Sequence, residues 1–311
     1  MFATSPERIE IMEVPITVFE SYDHASRCIV ESVRQRHRLS CVAVNPAKVY
    51  AAWKDRQLSS MINSADFCIC DGIGMAIAAR LLLGRTIHRI TGIQLFFDLV
   101  ACAETLGLRV FLLGAKPQSN RSAYERLKRL YPRLQVVGRS HGYFHDSDAV
   151  IKQINESSAD MLFVAMGSPR QEKWLAEYRD RIDAHFCMGV GGSFDVLSGS
   201  VRRAPGVFRV TGTEWLYRLI VQPRRLGVQI VLPLFALSVI RQFFVASFTR
   251  ALPVGVGRRL KTREDTLTSG AQGRRTSHSR TGVVGCDTET DLTLTPEAWI
   301  RPDGQPTLTE S

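Results

Sequence analysis

A chain of 311 residues with a net charge of +10 is long enough for one large domain plus an extension and can bury a substantial core, so size sets no limit on its fold. Its seven cysteines are odd in number, lack any C-x-x-C pair and fall mostly inside apolar runs, which argues for reduced core thiols and a cytoplasmic chain rather than a cross-linked one. Met1 to Pro15 carries Glu7, Glu10 and Glu13 and no apolar run of secretory length, so no export signal is expected there.

Up to about Val201, short apolar runs alternate with amphipathic segments, the pattern of repeated β-α units. This predicts an α/β fold: a Rossmann-like parallel sheet with helices on both faces. Strands are expected at Ser40 to Val44, Phe67 to Cys70, Arg109 to Leu113, Leu134 to Gly138, Met161 to Ala165 and Ala184 to Met188. Helices are expected at Pro46 to Ile62, Gly74 to Leu83, Gly92 to Leu106, Ser119 to Leu130, Ser147 to Glu156 and Arg170 to Tyr178.

Beyond Val201 the character changes. Twelve basic residues stand against the single acid Glu214 between Arg202 and Arg263, so the rest of the chain is close to neutral. Such a segment seeks phosphate on nucleic acid, on an anionic lipid surface or on a lipid diphosphate, although a merely solvated basic face is the commoner case. Thr213 to Val221 reads as a short helix closed by Pro223-Arg224-Arg225. Leu226 to Phe248 is strongly apolar, but Arg241 and Gln242 interrupt it and Pro233 disturbs its first half, which favours a docking or in-plane segment over a spanning one. From Thr262 onward Ser, Thr, Gly and charge dominate, and disorder is expected. The chain is thus expected to divide into a Rossmann-like domain at 1–201, a basic, apolar, membrane-docking appendage at 202–261 and a tail at 262–311.

Three loops follow predicted strands and precede predicted helices: Asp71-Gly72-Ile73-Gly74, Gly167-Ser168-Pro169-Arg170-Gln171-Glu172 and Gly189-Val190-Gly191-Gly192-Ser193-Phe194-Asp195. All three should open on one edge of the sheet, where open α/β proteins bind ligands. Asp71 would project from a strand end into that crevice, the placement a general base needs, though taken alone it reads first as a helix cap. Arg89, just before a helix, could clamp a diphosphate, and Gln171 could bond a sugar hydroxyl or diphosphate without adding charge. Gly114 opens a strand-to-helix turn that could cradle phosphate, and an ordinary turn accounts for it equally well.

Other motifs read as decoys. Asp146-Ser147-Asp148 matches the D-x-D of metal-dependent glycosyltransferases but suits a helix cap and first turn. In Gly189-Val190-Gly191-Gly192, Phe194 stands where a dinucleotide turn needs its third glycine. His141 and His145 have no further ligand at metal spacing, and no Walker spacing exists. Neither a metal nor a cofactor is expected.

In this order, Asn45-Pro46, Asp71-Gly72-Ile73-Gly74, Arg89-Ile90-Thr91-Gly92, Leu113-Gly114, His141-Gly142-Tyr143-Phe144, the Gly167 to Glu172 loop, Gly191-Gly192-Ser193-Phe194-Asp195, Arg203-Ala204-Pro205, Glu214-Trp215-Leu216-Tyr217-Arg218 and Pro223-Arg224-Arg225 resemble the WecG/TagA/CpsF glycosyltransferases, glycosyltransferase family 26. The resemblance spans roughly Ile16 to Arg225. It implies a metal-independent, inverting enzyme that moves a sugar from a UDP-sugar to a polyprenyl-diphosphate-linked acceptor at the inner face of the cell membrane. Asp71 then looks like the catalytic base, and Gln171, grouped with it in the catalytic set, like a polar group that contacts substrate. Asn45, Arg89, Gly114, Gly167, Arg170, Gly191, Gly192, Arg218 and Arg225 look like substrate-binding positions, the last two on the segment that closes over the site. Ala43 and Gln94 depart from the family pattern and bear on which sugar is donated. Self-association into a homo-oligomer stays open. The competing reading is a non-catalytic membrane or nucleic-acid binder, but no aromatic platform for single strands is evident, so nucleic acid is not expected as a partner. A nucleotide-sugar epimerase or dehydrogenase would instead require bound NAD.

Overall fold

The computed structural model describes residues 2–3, 6–221, 231–251 and 286–287. After β1 (Phe2–Ala3), a hairpin of β2 (Arg8–Ile11) and β3 (Val14–Thr17) turns through Met12 and Glu13, both at positive φ. Helix α1 (Tyr22–Arg34) was not among the predicted elements, yet its signals are local. Ser21 caps it by accepting the His24 N–H at 3.0 Å, and Ala25, Cys28, Ile29 and Val33 form a buried stripe at helical spacing.

The β-α alternation then runs as expected through β4 (Leu39–Val44), α2 (Pro46–Lys54), α3 (Arg56–Asn63), β5 (Phe67–Cys70), α4 (Ile73–Leu83), α5 (Gly92–Leu106), β6 (Arg109–Gly114), α6 (Pro117–Leu130), β7 (Gln135–Ser140), α7 (Ser147–Glu156), β8 (Met161–Ala165), α8 (Arg170–Tyr178), β9 (Phe186–Gly189) and α9 (Ser193–Leu197). The single helix expected over Pro46 to Ile62 is two. Asp55 adopts an extended conformation, ends α2, and accepts the N–H groups of Gln57 and Leu58 at 3.0 and 3.2 Å to start α3. The chain continues with α10 (Gly206–Val210), α11 (Glu214–Val221) and α12 (Val231–Ala251), and β10 (Cys286–Asp287) pairs antiparallel with β1.

Six strands form one all-parallel sheet in the order β5-β4-β9-β8-β6-β7. Residue parity assigns the faces. Cys41, Ala43, Phe67, Ile69, Phe163 and Met188 pack with α1, α5, α6 and α9 on one side. Val42, Val44, Cys68 and Cys70 pack with α2, α3 and α4 on the other, continued by Phe111, Leu113, Leu162 and Cys187 against α7 and α8. With both faces covered, the strands read as continuous apolar runs rather than alternating ones.

The apolar segment that begins at Leu226 is helical from Val231, and residues 226–230 lie outside the described residues, as does Arg225. Phe235 and Val239 are buried with Val49, Ala52, Met75 and Ala78, so α12 lies across α2 and α4. Among the described residues no helix is long and apolar enough to cross a membrane. The tail expected to be disordered falls outside the described residues, apart from β10.

Candidate active site

All the strand-end loops open along the C-terminal edge of the sheet, and the parity of each strand decides which side of that edge its loop residues occupy. Asp71 continues the parity of Phe67 and Ile69, which directs it to the α1 and α5 side. Its own N–H donates to Val44 O at 2.8 Å, extending the ladder by one residue. A Cβ built on Gly92, the first residue of α5, would stand 4.0 Å from Asp71 Oδ2 and 3.0 Å from Ala43 Cβ. The carboxylate therefore lies against the N-terminus of α5, where backbone N–H groups favour negative charge. A side chain at position 92 would therefore crowd Ala43 and press toward the carboxylate.

Arg89 sits beside it. The segment before α5 runs along the outer edge of β5, with Ile90 N–H donating to Cys70 O at 2.9 Å. Burial pushes the Cys70 thiol up to about 12, with Asp71 pushing it further and Arg89 pulling it back. The same two charges act on Tyr22, whose pKa is raised chiefly by burial. The Tyr22 hydroxyl accepts the Thr91 N–H at 2.8 Å and bonds the Thr91 hydroxyl at 3.0 Å, pinning α1 to the start of α5. The Arg89 guanidinium donates to Arg209 O at 2.6 Å and lies 3.7 Å from the Glu214 carboxylate, so α10 and α11 come down over this side.

Gln171 occupies the opposite side of the edge. It is buried at the start of α8, where its Oε1 accepts the Gly191 N–H at 3.0 Å and its Nε2 donates to Glu172 Oε1 at 3.0 Å. A Cβ on Gly189 would fall 2.4 Å from Gln171 Nε2, so only glycine lets the amide lie on the end of β9. Glu172 Oε1 also accepts from Lys48 Nζ at 2.6 Å, with side chains only 3% and 5% exposed. Lys48 in turn gives its backbone N–H to Asn45 Oδ1 at 2.9 Å. The chain Asn45, Lys48, Glu172, Gln171, Gly191 thus ties together the loops after β4, β8 and β9. Burial raises the Glu172 pKa, but the Lys48 charge and hydrogen bonds from Lys48 and Gln171 outweigh it and hold the carboxyl below its ordinary value.

The structure thus brings Asp71 and Arg89 together. Gln171 lies over the end of β9, and Asn45 follows β4, the strand between; the ends of β5 and β9 flank β4 and are about 10 Å apart by strand spacing. Gly191 and Gly192 follow β9 on the Gln171 side, and Gly167 with the exposed Arg170 forms the loop above β8. Gly114 is farther off, at the end of β6. Its φ of +119° and the 2.5 Å that would separate a Cβ from the Ala165 backbone make it a close-packing glycine. Asn120 closes that part of the edge, its Nδ2 donating to Gly114 O at 3.0 Å and Ser140 O at 3.1 Å. Arg218 lies on α11, four residues after Glu214. Asp146 caps α7 by accepting the Ala149 N–H at 3.0 Å, and Asp148 pairs with Arg181 at 2.7 Å, both apart from the crevice.

Sequence reasoning passed over Lys48 and Tyr22, and gave Arg203 no role beyond its place in a family motif. Lys48 had a signal, since it is the lone charge among the buried positions Pro46, Val49 and Ala52 of α2. Tyr22 had none without its helix. Arg203 donates to Gln94 Oε1 at 2.8 Å and lies over the Phe97 ring at 5.6 Å, and Gln94 also donates to Asp98 at 2.8 Å. Burial pushes the Asp98 carboxyl up to about 6.

A parallel α/β domain with an acid and an arginine collected at its strand-end crevice has the architecture of the open-sheet proteins that bind ligands at that edge. Residues 9–248 match the model of the WecG/TagA/CpsF glycosyl transferase family, and the chain belongs to that family. It is 39% identical over 199 residues to an N-acetylglucosaminyldiphosphoundecaprenol N-acetyl-beta-D-mannosaminyltransferase of Bacillus subtilis (strain 168), a match covering 64% of this chain and 78% of the relative. Proteins of the same description from Bacillus spizizenii and Staphylococcus aureus (strain MRSA252) are 36% and 34% identical over 200 residues, with the same coverage.

Proposed function

We propose that this chain transfers a hexose, of the N-acetylmannosamine type, from a UDP-sugar to a polyprenyl-diphosphate-linked saccharide, with inversion and without a metal ion. The observation that carries the reading is the Asp71 carboxylate set against the N-terminus of α5 beside Arg89, in a member of a glycosyltransferase family whose relatives act on a lipid-diphosphate acceptor. Asp71 accepts the proton of the acceptor hydroxyl as its oxygen attacks the anomeric carbon and the bond from that carbon to UDP breaks. Arg89 and backbone N–H groups stabilise the charge gathering on the departing diphosphate. One displacement inverts the anomeric centre, and no covalent intermediate is required.

UDP release from UDP-N-acetylmannosamine, with undecaprenyl-diphosphate-N-acetylglucosamine as acceptor, tests the reading directly. Asp71→Asn should lower turnover by about 10²- to 10⁴-fold while UDP binding persists. Undiminished turnover in that variant removes Asp71 as the base.

The same reading places the chain on the inner face of the cell membrane. Supporting it, α12 exposes Leu237, Ile240 and Phe244 along one face, an apolar surface that a lipid interface would cover. Leu237→Glu with Phe244→Glu should release the protein from anionic vesicles in a sedimentation assay. Unchanged sedimentation would assign the contact to another surface.

A further inference from the structure

Around the mouth of the crevice on the Asp71 side, the Glu214 carboxylate has Arg89 at 3.7 Å and Arg203 near enough to feel its charge. Arg89 is the best defined. Its Nη2 is held by Arg209 O at 2.6 Å, while its Nη1 faces Glu214 Oε1 at 3.7 Å, with the two side chains 21% and 18% exposed. Arg203 approaches from the start of the appendage. Its Nη2 is taken by Gln94, and its Nε is buried with no hydrogen-bond partner. Burial lowers the Arg203 pKa and Arg209 repels it further, while Glu214 pulls it back up, so Arg203, Arg209 and Glu214 share one field. Gly212, at a φ of +72°, brings the loop between α10 and α11 so close that a Cβ there would be 3.3 Å from Arg89 Nη1 and 2.7 Å from Ile73 Cβ.

The Glu214 contact is unlike a structural ion pair. At 3.7 Å it is long for a charge-assisted hydrogen bond, and it uses one edge of a group built to bind two oxygens at once. A diphosphate carries more charge than a carboxylate and offers paired oxygens. It also presents an acceptor that the buried Arg203 Nε lacks.

We propose that Glu214 is the resident counter-ion of the diphosphate site: its carboxylate holds Arg89 in place of substrate, and a diphosphate displaces it at Arg89, within the field that Arg203 shares with Glu214. The inference rests on the glycosyltransferase reading and adds to it a competitor within the chain. Because Glu214 starts α11, its displacement also links diphosphate binding to the position of that helix.

The test uses the full chain and titration calorimetry with UDP and, separately, inorganic pyrophosphate. Glu214→Gln removes the competing charge at nearly constant shape and should tighten binding of both ligands by roughly fivefold, the scale of a partly exposed ion pair. Glu214→Asp draws the carboxylate back and should give a smaller gain in the same direction, which keeps the test available if the Gln variant fails to fold. Binding that is equal or weaker in a folded variant, with wild-type affinity for UDP intact, overturns this inference and leaves the parent reading standing. A wild-type chain that binds neither UDP nor pyrophosphate overturns both.

Discussion

The two sides of the sheet edge use charge in opposite ways. On the α2 and α8 side, Lys48 and Glu172 meet at 2.6 Å with almost no exposure, and Glu172 also accepts from Gln171, which in turn accepts from Gly191. On the α1 and α5 side, Arg89 and Glu214 stand 3.7 Å apart and keep about a fifth of their surface in water. Two ions taken out of water must find excellent geometry and further hydrogen bonds; the first pair has a 2.6 Å contact and a second hydrogen bond on Glu172 Oε1, from Gln171. The second has given up less hydration and can change partners at lower cost. The difference separates a frame that fixes loop positions from a site that exchanges anions.

Urea unfolding sharpens that contrast most. Lys48→Met leaves Glu172 buried without its cation and should cost about 3–5 kcal/mol. In the same titration Glu214→Gln should cost no more than about 1 kcal/mol. Similar losses in the two variants would erase the distinction between frame and exchange site.

A smaller effect is expected from pH. The Glu172 carboxyl is held below its ordinary 4.5 in the folded chain, because Lys48 and its hydrogen bonds outweigh the opposing effect of burial. The unfolded chain therefore binds the proton more readily. Its contribution to stability is fully present above about pH 4.5 and is lost as pH falls through the depressed folded value. Glu172→Gln should flatten the stability profile in that acid range, and a profile identical to wild type would show that the ion pair contributes nothing there.

Much of the fold was legible because parallel strands buried on both faces must be continuous apolar runs. Phe67–Cys70 and Met161–Ala165 have the predicted bounds for that reason. Gly92–Leu106, Ser147–Glu156 and Arg170–Tyr178 carry their start and stop signals locally. The break at Asp55 went unread because an aspartate is compatible with a helix interior and only its extended backbone converts it into a cap. Asp71, Arg89 and Gln171 could be picked out as loop residues of suitable chemistry, but their partners could not.

The sequence by itself determined the strand-end loops, since apolar runs, glycines and caps act over a few residues and need no knowledge of the rest of the chain. Only the tertiary structure decided which side of the sheet edge each functional group occupies. Strand order and residue parity set Asp71 against α5 and Gln171 over β9, and the packing of α8 on α3, beside α2, joined Lys48 to Glu172, 124 positions apart. Long-range ion pairs follow from how elements stack, and no local periodicity encodes them.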